Sequence, residues 1–216
     1  MMDFSTRYSK KNRREDAWSR LLWLCGCVLC GLLMHGSALA QQHPAEVQEL
    51  RVERSEDGLY LSAVLQFTLP ELVEDALQKG IPMFFVAQAQ VLRERWYWSD
   101  REVAAANRYL RLSYQPLTRK WRLSIASTPF NQTGLGVVLG QNFDDLAEAL
   151  SVMRRFSHWK IADASAIEAG AKHTLHFRFQ LDLSQLPRPF QIGAVGHSGW
   201  NLQLERSLHF VPEAGP

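Results

Sequence analysis

From Val47 onward, apolar and polar side chains alternate. Leu50 and Val52 are interleaved with Glu49, Arg51 and Glu53. Ser55-Glu56-Asp57-Gly58 then supplies turn chemistry, and Asp-Gly is a strong hairpin signal. After it, Leu59, Leu61, Ala63, Leu65, Phe67 and Leu69 take one face, with Ser62, Gln66 and Thr68 on the other. This pattern predicts a β-hairpin with one buried face.

The period lengthens over residues 70–79. Leu72, Val73, Ala76 and Leu77 fall on one side of a helix. Thr68-Leu69-Pro70-Glu71 has the spacing of a capping box, with a proline early in the first turn. Gly80 can close the helix in a left-handed conformation. Residues 80–100 follow, and the rest of the chain is organised around them. Met83, Phe85, Ala87, Ala89 and Val91 share one strand face, while Phe84 and Val86 make the other face apolar as well. A strand covered on both sides is expected at the centre of a sheet.

Beyond that strand, Ala104, Ala105 and Ala106 suit a helix, but Leu110, Leu112 and Tyr114 alternate, so residues 101–113 are read mostly as strand. Residues 115–120 form a turn, and Trp121, Leu123 and Ile125 return along the previous strand. Residues 128–140, with Gly134, Gly136 and Gly140, read as a loop. Asn142 is the expected N-cap of a second helix. Asp144 and Asp145 would lie in its first turn, Arg154 and Arg155 in its last, and Leu146, Ala149, Leu150 and Met153 along its apolar stripe. Residues 161–171 read as a connector. Leu175, Phe177, Phe179, Leu181 and Leu183 then alternate with Thr174, His176, Arg178, Gln180 and Asp182 in a strongly amphipathic strand. Trp200, Leu202, Leu204, Leu208 and Phe210 make the last strand, with Arg206 on its apolar face marking a bulge or a sheet rim. The fold class is α+β and β-rich: one domain over residues 41–216, a predominantly antiparallel sheet or sandwich of about eight strands with two short helices.

Composition adds an address. Residues 1–20 are polar and basic, residues 21–34 are uncharged and apolar, and Ala38-Leu39-Ala40 follows. That order is a signal peptide, an N-terminal helix over residues 1–40 cut after Ala40. The alternative is an uncleaved inner-membrane anchor, since residues 21–40 are just long enough to span a bilayer. Cys25, Cys27 and Cys30 all lie in the apolar run, so the mature chain has no disulfide and no thiol nucleophile. A lipoprotein cut before Cys27 would need an unusual residue, Cys25, at the second position of Leu24-Cys25-Gly26-Cys27. The expected location is the periplasm. Six of the 24 Lys and Arg and three of the 22 Asp and Glu fall in residues 1–40, leaving 18 against 19 in the body. A nearly neutral body has no electrostatic footprint for nucleic acid.

Little in the chain looks catalytic. His173 and His176 are three apart on a strand and point to opposite faces. His158, His197 and His209 sit in separate elements, so no metal or other cofactor is expected. His197-Ser198 are adjacent, which rarely meets the geometry of a Ser-His-Asp triad, and no G-x-S-x-G elbow is present. Gly134, Gly136 and Gly140 lack the βαβ context of a dinucleotide loop. What stands out is Arg93, Arg95, Trp96, Tyr97, Trp98 and Asp100. On a strand, Trp96 and Trp98 would share a face, with Tyr97 opposite and one Trp closing the core. Arg93 and Arg95 could pair with Glu94, Asp100 or Glu102, or stack on the indoles. This group is either a structural corner or a rim for a ligand, peptide or glycan.

Several of these residues form a wider pattern. Gly80-Ile81-Pro82, residues 95–100 (RWYWSD), Leu112-Ser113-Tyr114 with Leu117-Thr118-Arg119, Trp159, residues 186–191 (LPRPFQ) and Trp200 resemble the proteobacterial family called domain of unknown function 4390, over residues 47–211. Gln115-Pro116 stands where the family pattern has His-Ala, and Trp121 where it has Tyr. The resemblance implies an exported envelope protein without established activity, whose gene often neighbours that of a membrane sensor kinase (an envelope partner such as a membrane sensor is thus an expectation by association), with no catalytic residues to carry over. The leading expectation is therefore a non-catalytic periplasmic binding domain. Its rivals are an envelope hydrolase using Asp100, Glu102 or His197, and a structural protein tethered by residues 21–40.

Overall fold

The computed structural model describes residues 45–97, 99–130, 138–186 and 198–213. The chain divides into residues 1–41 and 42–216, and only the second unit is described; the expected signal segment lies outside the described residues. Among those residues, nine strands form two antiparallel sheets, with two α-helices. No helix among them is long and apolar enough to cross a membrane.

The hairpin forms where the alternation places it. Strands β1 (Glu46–Ser55) and β2 (Gly58–Gln66) pair antiparallel around Glu56-Asp57. Gly58 is required here by close approach, since a Cβ would sit 2.4 Å from the carbonyl oxygen of Ala162. That oxygen belongs to β7 (Arg155–Asp163), which completes a sheet of order β1-β2-β7. The register of β1 shifts between Val47 and Glu49, a bulge.

Helix α1 (Glu71–Gln78) starts at Pro70, whose carbonyl accepts the N–H groups of Val73 (2.9 Å) and Glu74 (3.1 Å). The expected capping box does not form: with Pro70 at the N-cap, Thr68 lies two residues too early to reach the first-turn donors. Val73, Ala76 and Leu77 are buried, but Leu72 is 44% exposed. Gly80 closes the helix at φ +82°, with its N–H on the carbonyl of Leu77 (2.8 Å) and that of Ile81 on Ala76 (3.1 Å).

Strand β3 (Met83–Arg93) lies between β4 (Arg101–Gln115) and β8 (His173–Leu181). Its inner face, Met83 through Val91, is buried. On the outer face Val86 is also buried and Phe84 packs on Phe130 at 6.0 Å. β4 continues through Ala104-Ala105-Ala106 without helix, because each alanine pairs with β3. β5 (Lys120–Ala126), β6 (Leu139–Phe143) and β9 (Gln203–Phe210) complete the order β6-β5-β4-β3-β8-β9. Trp200 belongs to a short 3-10 turn before β9. The β8–β9 ladder is regular through Phe177 and Arg206, so Arg206 marks a rim and not a bulge.

The second helix, α2 (Leu146–Met153), is capped by Asp145, whose carboxylate accepts the N–H of Glu148 at 2.7 Å. Asn142, the expected cap, is in β6 opposite Arg122. Arg154 is the C-cap and Arg155 opens β7. The expected connector therefore begins as a strand.

The two sheets face each other across an aromatic core. Phe179 stacks on Phe67 (5.4 Å) and Phe85 (5.8 Å), and Phe156 meets Phe177 edge-on at 5.7 Å. The Arg108 guanidinium lies over Trp159 at 4.7 Å, closing the core beside β7.

Candidate functional site

β3 ends at Arg93, and residues 94–97, 99 and 100 leave the sheet between it and β4. The expected continuation of the strand through three aromatics does not occur. Trp96 is 93% exposed and Tyr97 67% exposed, with their rings edge-to-face at 4.9 Å. Neither closes the core, and Trp98 lies outside the described residues. The loop turns back on itself where the backbone N–H of Arg95 donates to Asp100 Oδ1 at 3.3 Å. Arg93 pairs with Glu168 and with none of the three acids expected for it.

The base of this loop is anchored by a group that the sequence does not place together. The Glu94 N–H donates to the carbonyl of Lys172 at 3.0 Å. Glu94 Oε1 accepts the Thr174 hydroxyl at 3.0 Å and lies 3.0 Å from His209 Nδ1. Thr174 Oγ1 is itself 2.8 Å from that nitrogen. The hydrogen bond from His209, then that from Thr174, holds the Glu94 carboxyl below the usual carboxylate range, against a smaller opposing effect of burial. The β8–β9 register sets Thr174 opposite His209, which no local pattern reports.

This trio is not a hydrolytic triad. In a triad, the carboxylate holds one imidazole nitrogen and the nucleophile faces the other. Here Glu94 and Thr174 both face Nδ1, and Thr174 donates its proton to the carboxylate. The arrangement ties the end of β9 to the root of the β3–β4 loop. A cleft of about 450 Å³ opens beside it, lined by Glu94, Lys172, His173, His209, Phe210 and Val211. His173 is fully buried, with its ring on Phe210 at 5.6 Å. Its Nδ1 lies 2.9 Å from the carbonyl of Ala171, which can only accept, so Nδ1 carries the proton.

The residues named for a hydrolase are engaged elsewhere or undescribed. Asp100 accepts from its own loop, Glu102 accepts from the Gln90 amide, and His197 lies outside the described residues, as do Gly134 and Gly136. His173 and His176 do face opposite ways: one is buried, the other exposed beside Ser207 at 2.7 Å. Among the described residues, no three His, Cys, Asp or Glu side chains come together as a metal site.

The outer face of the larger sheet carries a second depression, of about 460 Å³, between Gln88, Gln90, Asn107, His176 and Ser207. Its charges are paired locally, Arg178 with Glu205 at 2.7 Å. The sequence model for the family described as Domain of unknown function (DUF4390) matches residues 42–208. No curated protein and no solved structure matches the chain.

Proposed function

This chain belongs to the DUF4390 family, and from that starting point we propose that it is a non-catalytic binding domain of the cell envelope, which engages a protein partner through the β3–β4 loop. The observation that carries this reading is the exposure of Trp96 and Tyr97, side by side at the tip of an anchored loop. Large aromatics are costly to leave in water, and Trp, Tyr and Arg dominate the binding energy of protein interfaces. Arg95, also exposed, adds the cation. The loop is braced by the Asp100–Arg95, Glu94–His209 and Arg93–Glu168 contacts, so less conformational entropy is lost when a partner docks.

The envelope location rests on the basic, apolar and Ala-x-Ala order of residues 1–40. A membrane sensor is the partner class this reading favours. Mass spectrometry of the mature N-terminus distinguishes cleavage after Ala40 from an uncleaved anchor. The binding test places a photo-crosslinking residue at Tyr97 and a control at Leu117, at the opposite end of β4. Crosslinks to one envelope protein are expected from position 97 alone, and Arg95→Ala with Trp96→Ala should remove them. Undiminished crosslinking in a folded double variant would refute the proposal.

A further inference from the structure

The outer face of the larger sheet changes character along its central strand. At the start of β3 that face is apolar: Val86 is buried and Phe84 packs on Phe130. Further along, the same face carries Gln88 and then Gln90. The register extends both positions across four strands. One row reads Asn107, Gln88, Arg178 and Glu205, and the next Ala105, Gln90, His176 and Ser207. The second row has its smallest side chains at its two ends, and the depression of about 460 Å³ lies over these rows.

Its lining is polar and electrically balanced. Arg178 and Glu205 pair with each other at 2.7 Å, and the Arg206 guanidinium is taken up by the carbonyls of Val47 and Gln48. Gln88 and Asn107 are partners across β3 and β4, and neither amide hydrogen-bonds to a described residue. The Ser207 hydroxyl lies 2.7 Å from His176 Nδ1, which fixes the imidazole and leaves its Nε2 without a described partner. Each amide offers donors and an acceptor in one plane. The adjacent hydroxyls of a sugar ring offer the same, a donor and an acceptor apiece at fixed spacing. Other ligand classes fit less well. β3, β4 and β8 are paired along both sides, so no extended peptide adds to them. The balanced charge gives no attraction for a polyanion. An acyl chain would bury these amides without partners.

We propose that this face binds a neutral oligosaccharide, lying across the strands from β4 to β9. The Gln88 and Asn107 amides and His176 Nε2 are the groups that hydrogen-bond its hydroxyls, and the Arg178–Glu205 pair stands beside them as a joined donor and acceptor. Three interstrand spacings span about 14 Å, enough for more than one sugar ring. The site is separate from the β3–β4 loop and does not depend on a protein partner there.

The test is isothermal titration calorimetry of the full chain with maltotetraose, cellotetraose and the tetramer of N-acetylglucosamine. Saturable binding of at least one is expected, and its identity separates a glucan from an N-acetylated glycan. Gln88→Ala with Asn107→Ala should weaken that binding about tenfold, the equivalent of one or two hydrogen bonds. Ala105→Leu, which fills the depression from its floor, should weaken it as well. Both variants should keep the circular dichroism spectrum of the wild type, since these positions face outward. Arg95→Ala with Trp96→Ala, at the β3–β4 loop, should leave sugar binding unchanged. No binding of any of the three at millimolar sugar overturns the proposal. So does binding that survives the Gln88 and Asn107 substitutions, or that is lost in the loop variant instead.

Discussion

One guanidinium nitrogen of Arg206 donates to the backbone carbonyls of Val47 (2.7 Å) and Gln48 (2.8 Å). The residue that breaks the apolar pattern of β9 thus satisfies the backbone at the bulge of β1 and joins the two sheets along one side. Arg206→Met keeps the apolar stem and removes the donors. A hydrogen bond to a charged group contributes about 1.5–3 kcal/mol. We expect a loss near the lower figure, because the site is partly hydrated, read as a lower urea midpoint with an unchanged slope. A midpoint equal to wild type would show that the carbonyls exchange Arg206 for water at no cost.

The helix cap gives a paired prediction. Asp145 accepts the N–H of Glu148, whereas Asn142 lies in a strand. Asp145→Ala should destabilise the protein by about 1 kcal/mol. Asn142→Ala, at an exposed strand position, should change stability by less than about 0.5 kcal/mol. Thermal denaturation of both variants decides which residue caps α2.

Glu94 makes stability depend on pH in a stated direction. Its carboxyl titrates below the ordinary carboxylate range, chiefly through the His209 hydrogen bond. Its contribution is complete above the ordinary value of about 4.3 and is lost as pH falls through the lower, folded-state value. Glu94→Gln should therefore lower the thermal midpoint at pH 7. The gap from wild type should close as the buffer is taken below that range. A gap constant down to pH 2 would mean the carboxylate charge is not what anchors the loop.

Trp96 and Phe179 should respond oppositely to truncation. Phe179 is fully buried against Phe67 and Phe85, and Phe179→Ala should cost about 3–5 kcal/mol. Trp96→Ala should alter stability by no more than about 0.5 kcal/mol, because its ring is already in water. Urea titrations of both variants measure this, and a large loss at Trp96 would make the loop a structural corner after all.

Period-two alternation alone determined β2, β3 and β8, because each is regular and turns one continuous face to the core. Asp57-Gly58 and Gly80 likewise read correctly from local turn and cap chemistry. The same rule hid β7, whose bulges space its buried residues at Phe156, Trp159, Ile161 and Ala162, with no fixed period. It hid β6 as well, since this edge strand buries too little to impose a pattern: only Phe143 is covered. At the candidate site the sequence supplied Arg93, Arg95, Trp96, Tyr97 and Asp100 as an unusual cluster, but not their exposure. Whether a strand ends before or after a run of aromatics depends on how far its neighbours extend. The tertiary structure alone decided that β3 stops at Arg93 and that Glu94 meets Thr174 and His209, residues 80 and 115 positions away. Contacts at such separation follow from sheet order and register, which are set by the packing of the whole core and leave no mark on the residues beside them.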